Sequence, residues 1–211
     1  MLPPRTVRAD PPGTVRADLL ESPLAEPTAS TQASTQASTE VGTRTLILMR
    51  HAAAAGAVRD HDRPLTPDGV RAAAEAGRWL RANLPAVDFA ICSTAARTRQ
   101  TLSATGVTGQ IRYSDQLYGG GVDEILEEVA TSPAGASTLL VVGHAPTIPA
   151  TAWELVTQAR LNRESASGSS ADDELRHFAA GTFAVLTTAV DWAELARSGA
   201  DLQTVRHPVH T

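Results

Sequence analysis

Three short runs in this chain, Thr45 to Met49, Val87 to Cys92 and Thr138 to Val142, are apolar at almost every position rather than at every second one. A strand with one face in water alternates apolar and polar residues. A run without alternation has both faces covered, as in the interior of a parallel sheet. Helical signals fall between these runs. Thr66-Pro67-Asp68-Gly69 supplies an N-cap threonine and a proline at the first helical position. Val70, Ala73, Ala74, Gly77, Leu80 and Leu84 then recur at helical spacing until Pro85 stops the pattern.

The same reading predicts helices over 95–104, 122–130 and 151–159. It predicts further strands over 111–113 and 182–190, a short edge strand over 202–205, and a mobile loop over 162–173. Strands alternating with helices predict a single-domain, three-layer α/β/α fold with a mostly parallel central sheet.

Residues 1–43 differ from the rest. Thr-Val-Arg-Ala-Asp occurs twice, at 6–10 and 14–18, and Ser-Thr-Gln-Ala twice, at 30–33 and 34–37. Prolines and small polar residues surround these copies. Such a segment buries too little apolar surface to offset its ordering entropy, so a disordered N-terminal tail is expected, followed by one domain over 44–211. Two copies of a five-residue word do not make a repeat architecture.

Composition excludes several functions. A net charge of −5 is at odds with general nucleic-acid binding, which calls for a basic surface. No apolar stretch approaches the roughly 20 residues needed to cross a bilayer, and no signal-like apolar core precedes residue 44. A cytoplasmic protein is expected. The single cysteine, Cys92, lies in an apolar run and reads as a buried, inert thiol.

Polar residues collect where the predicted strands end. Arg50-His51 ends the first strand, Ser93 follows the second, and Gly143-His144 follows the run ending at Val142. In open α/β sheets ligands bind beyond the carboxyl ends of the strands, so three segments deliver polar groups to one place. A lone histidine after a strand is more often a structural hydrogen-bonder. A second one at an equivalent strand end changes that reading. A neutral imidazole attacks phosphorus when one nitrogen is unprotonated and aimed. The phosphoryl oxygens then need fixed positive charge, which the planar fork of arginine supplies through paired hydrogen bonds.

Arg50-His51, Ser93-x-x-x-Arg97-x-x-Gln100-Thr101 and Gly143-His144 together resemble the three signatures of the histidine phosphatase (phosphoglycerate mutase-like) superfamily. Arg-His-Ala in place of Arg-His-Gly, the segment Arg63-Pro64-Leu65-Thr66-x-x-Gly69 and the short length are similar to its SixA-type phosphohistidine phosphatase branch. The resemblance spans roughly residues 44–206. It implies a phosphoglycerate mutase-like fold and a hydrolase that forms phosphohistidine at His51. Arg50 and Arg97 would clamp the phosphoryl group, and His144 would donate a further hydrogen bond to it. Arg63 would rim the phosphate site, whereas His61 is expected in solvent and Arg99 on the surface.

Many family members place a carboxylic acid between the second arginine and the second histidine, to protonate the leaving oxygen. Asp123 and Glu124 stand there, after the turn Tyr118-Gly119-Gly120-Gly121, with Asp123 the first choice. Both are equally explained as acids favoured by the first turn of a helix. No cofactor and no metal are implied, because neither histidine has the carboxylate or cysteine company of a zinc site. The expected substrate is a phosphorylated protein or a small phosphorylated molecule, with no nucleic acid or membrane as partner. Two other readings stand beside phosphatase: a non-catalytic phosphate-binding or interaction module, which would not need the nucleophile, and a small-molecule phosphomutase, for which the short 52–63 connection leaves little material.

Overall fold

The protein is described by a computed structural model over residues 42–163 and 170–208. Apart from Gly42 and Thr43, the expected tail lies outside the described residues, as does 164–169 of the expected loop. Among the described residues no helix is long and apolar enough to cross a membrane.

The core is a six-stranded sheet built from β1 (Arg44–Arg50), β2 (Phe89–Ser93), β3 (Gln110–Ser114), β4 (Thr138–Gly143), β5 (Phe183–Thr188) and β6 (Asp201–Arg206). Its spatial order is β3-β2-β4-β1-β5-β6. The pairs β3·β2, β2·β4 and β4·β1 are parallel, and β1·β5 and β5·β6 are antiparallel. The mostly parallel sheet is therefore present, extended by two antiparallel strands at one side.

The unbroken apolar runs now have their explanation. Along β1, Leu46 and Leu48 enter one core cluster while Ile47 and Met49 enter another on the opposite face. The first face is covered by α3 (Gln116–Gly119), α4 (Val122–Ala130), α5 (Thr147–Asn162), α6 (Ser170–Arg176) and α7 (Leu195–Ser198), through residues such as Leu117, Ile125, Leu155, Leu175 and Leu195. The second is covered by α1 (Pro67–Asn83) and α2 (Ala96–Thr105), through Ala76, Leu80 and Leu102. Each buried leucine or isoleucine among them contributes on the order of 2 kcal/mol by leaving water.

Helix α1 begins as the sequence indicates, with the Thr66 hydroxyl accepting from the Gly69 amide at 3.0 Å and proline in the first turn. Two of its glycines are fixed by close approach. A Cβ on Gly69 would stand 2.2 Å from the Ala53 carbonyl oxygen, and one on Gly77 would stand 1.9 Å from that of Thr105.

The structure corrects two boundaries. Helix α5 starts at Thr147 rather than Thr151, because Pro149 falls in its first turn, where a missing N–H leaves no bond unmade. Asn162 belongs to the same helix, and Ser170–Arg176 is helical, so the expected 162–173 loop is shortened from both ends.

Candidate active site

Strand register assembles the site. Arg50 is paired with Gly143 across the parallel β1·β4 ladder, so His51 and His144 leave the sheet side by side. Their ring centroids are 5.2 Å apart, edge to face. Cys92 pairs with Val142, which brings Ser93 level with Gly143, and Ser93 Oγ lies 2.9 Å from His144 Nε2.

The backbone of His51 is held from both sides. Its amide donates to the Gly143 carbonyl at 2.9 Å, and its carbonyl accepts from the Gly181 amide at 2.9 Å. The next amide, Ala52, donates to Thr101 Oγ1 at 3.0 Å. The motif residue Gln100 accepts from the Leu65 amide at 2.7 Å, so Gln100-Thr101 braces the chain on both sides of the connecting loop.

The ring of His51 is equally constrained. Nδ1 lies 2.7 Å from the Ala52 carbonyl oxygen. A carbonyl can only accept, so Nδ1 carries the proton and Nε2 keeps its lone pair. Burial, with the charges of Arg97, Arg50 and Arg63, outweighs the raising effect of that carbonyl and brings His51 down to about 4. His144 is brought down to about 3, first by burial and then by Arg97 and His51. Both imidazoles are therefore neutral at pH 7.

Arg50 reaches the Phe178 carbonyl with one guanidinium nitrogen at 2.8 Å, and burial lowers its pKa. Arg97 is 6% exposed although charged. It donates to the Asp60 carbonyl oxygen at 2.7 Å and to Asp60 Oδ2 at 3.0 Å. Three buried nitrogens of this cluster, Arg50 Nε, Arg97 Nε and His144 Nδ1, have no hydrogen-bond partner among the described residues. An unmet buried donor costs about 1–3 kcal/mol, and such groups cluster where a ligand supplies the acceptor.

The remaining expected residues fall as follows. Arg63 lies in the connection after His51, bonded to the Ala55 carbonyl at 2.9 Å and to Asp60 Oδ1 at 3.1 Å. Asp123 is exposed in the first turn of α4, and among the described residues no hydrogen bond or ion pair joins it to the histidine–arginine cluster. Glu124 accepts from the Gly121 amide at 2.7 Å and so caps its own helix. Arg99 is exposed and lies over the Tyr113 ring. Cys92 is fully buried, and burial pushes its thiol up to about 12.

Three participants were not expected from the sequence. Asp60 sits in a short 3-10 turn, Asp60–Asp62, and gathers Arg63, Arg97 and Tyr118. The ring of Tyr118 stands edge-on to both His144, at 5.5 Å, and His61, at 5.0 Å. His61, expected in solvent, is half-buried, and its Nε2 lies 3.1 Å from Thr94 Oγ1. The spacing Asp60-x-x-Arg63 was the only local trace of this grouping.

The fold and the strand-end cluster define a phosphoglycerate mutase-like α/β protein with a histidine–arginine centre. Residues 46–117 match the histidine phosphatase superfamily, branch 1. A candidate phosphohistidine phosphatase SixA of Nakamurella multipartitia is 72% identical, with a TM-score of 0.78 over 80% of this chain and 98% of that one. A candidate SixA of Agrobacterium tumefaciens is 26% identical, with a TM-score of 0.62 over 78% and 99% of the two chains. An uncharacterized protein of Mycobacterium tuberculosis is 44% identical over 149 residues, covering 70% of this chain and 91% of its own. The chain belongs to the histidine phosphatase superfamily, as a SixA-like phosphatase.

Proposed function

We propose that residues 44–211 form a phosphatase domain that hydrolyses phosphohistidine, in protein or small-molecule form, through phosphorylated His51. The carrying observation is the tautomer of His51: with Nδ1 held on the Ala52 carbonyl, Nε2 is the lone pair that faces an incoming phosphorus. In the first step the Nε2–P bond forms and the bond from phosphorus to the leaving nitrogen breaks. In the second, water attacks the same phosphorus, the Nε2–P bond breaks with its electron pair returning to Nε2, and the water's protons leave with the phosphate. Arg50, Arg97 and His144 hold the phosphoryl oxygens through both steps, and Arg63 stands at the rim.

The likeness to the Nakamurella protein supports the nitrogen-linked substrate. The protonation of the cluster supports it as well. Asp60 is held down at about 2 by the Arg63 hydrogen bond and then by Tyr118, while His144 is neutral, so neither carries a spare proton at pH 7. With its other ring nitrogen protonated, a phosphohistidine releases neutral imidazole, whose conjugate acid has a pKa of about 6.5, so it departs with far less help than an alkoxide. For oxygen-linked substrates, Asp123 is the carboxyl offered as acid.

The test compares the wild type with His51→Ala on a phosphohistidine protein and on an aryl phosphate. Loss of turnover by at least a thousandfold in a folded variant is expected. Phosphate trapped on the wild type should be acid-labile and base-stable. Equal turnover by the two proteins would remove the nucleophile.

A further inference from the structure

Two of the groups assigned to phosphate, Arg97 and Arg63, are already engaged with an anion. One carboxylate, that of Asp60, accepts from Arg63 at Oδ1 (3.1 Å), and from Arg97 (3.0 Å) and Tyr118 (2.9 Å) at Oδ2. It belongs to the chain itself, on the connection between β1 and α1, and it pairs with the same guanidinium groups while Arg97 Nε stays unmet. Its partners come from three separate segments: Arg63 from the same connection, Arg97 from α2 and Tyr118 from α3. The carboxyl stays ionised under these donors, and its side chain is about half exposed, so solvent reaches it while it is bound.

We infer that Asp60 is a specificity-determining residue of the phosphate site: a resident carboxylate that competes with free phosphate for Arg97 and Arg63. This rests on the phosphate site proposed above. A phosphate drawn to Arg97 and Arg63 stands beside the Asp60 charge, so the two anions repel and compete for the same two cations. A small anion brings only its own charge to that competition. A phosphorylated side chain on a polypeptide brings further contacts, and these offset the repulsion. After the second step, the same repulsion helps phosphate leave. Asp60 thus keeps the centre selective for attached phosphoryl groups and limits inhibition by the product.

A second function of Asp60, holding Arg97 in place, would act in the opposite direction on phosphate. The sign of one measurement separates the two. Inorganic phosphate binding to the full chain is measured by calorimetry for wild type, Asp60→Asn and Tyr118→Phe. Competition predicts tighter phosphate binding by Asp60→Asn, on the order of tenfold, as expected for removing one adjacent like charge. It predicts a smaller tightening for Tyr118→Phe, which removes one of the donors that hold the carboxylate in place. Phosphate inhibition of turnover should strengthen in the same order.

Unchanged or weaker phosphate binding by a folded Asp60→Asn overturns the inference and leaves the phosphate site standing. Absence of phosphate binding in both proteins overturns the inference and the site together. Binding by Asp60→Asn alone supports the inference in its strongest form.

Discussion

His144 Nε2 and Ser93 Oγ are 2.9 Å apart, so the second histidine of the centre is tied to the end of β2 and not only to its own strand. If the hydroxyl donates to Nε2, the ring proton lies on Nδ1, which is buried and has no hydrogen-bond partner among the described residues. Ser93→Ala should lower kcat/KM by about ten- to a hundredfold through loss of aim, with a drop of a few degrees in Tm from the unmet buried nitrogen. Steady-state kinetics beside a melting curve checks this, and unchanged kcat/KM would show that Ser93 does not orient the ring.

Turnover should tolerate mild acid. In the proposed mechanism His51 must be neutral to attack, and burial brings it down to about 4. The kcat/KM profile, which reports the free enzyme, should stay flat down to about pH 5 and fall as pH drops through about 4. A midpoint near the ordinary histidine value of about 6.5 would contradict the buried, arginine-flanked ring.

Stability has the opposite vulnerability. His51 and His144 ionise near their usual value when unfolded but only at about 4 and about 3 when folded. Below pH 6.5 the unfolded chain therefore binds protons that the native state refuses. Stability should decline as pH falls from about 6.5 to about 3, by several degrees in Tm. His144→Asn should flatten that slope, and a slope identical to wild type would sink the assignment.

Arg97→Lys should be poorly tolerated although charge is kept. An ammonium cannot span both the Asp60 carbonyl and its carboxylate while presenting a further N–H inward. A loss in kcat/KM of roughly a hundredfold is expected, and wild-type kinetics would show that point charge alone suffices.

Gly77→Ala tests the packing of α1 on α2. A methyl group would meet the Thr105 backbone at 1.9 Å, so the helices must separate. Overpacking of this kind costs about 1–3 kcal/mol, measured by denaturant titration.

Asp123→Asn bears on the leaving group. If Asp123 serves as acid, the variant should slow alkyl phosphates more than phosphohistidine, because only an alkoxide needs the proton. Equal slowing of both substrates would contradict the leaving-group argument.

The elements that carry the site were legible because parallel strands buried on both faces leave unbroken apolar runs. Such runs locate Arg50, His51, Ser93 and His144 at strand ends. Gln100 and Thr101 were visible as a spacing, but their work, bracing Leu65 and Ala52, appears only in the fold. Asp60 and Tyr118 were not legible. Their contact spans 58 positions, and nothing local distinguishes Asp60 from other surface acids. Helices α3 and α7, at four residues each, are too short for any periodicity to register.

The connection after His51 is closed at its base. Ala54 bridges Leu65, and the Ala55 amide donates to the Pro64 carbonyl at 2.8 Å. What lies between these fastenings, including Asp60 and His61, can therefore be exchanged for a longer or different segment at little entropic cost, since closure entropy grows only slowly with length. His51, the proposed nucleophile, sits outside that stretch, directly after a strand flanked on both sides. Any replacement segment must still give buried Arg97 the two acceptors that Asp60 now supplies.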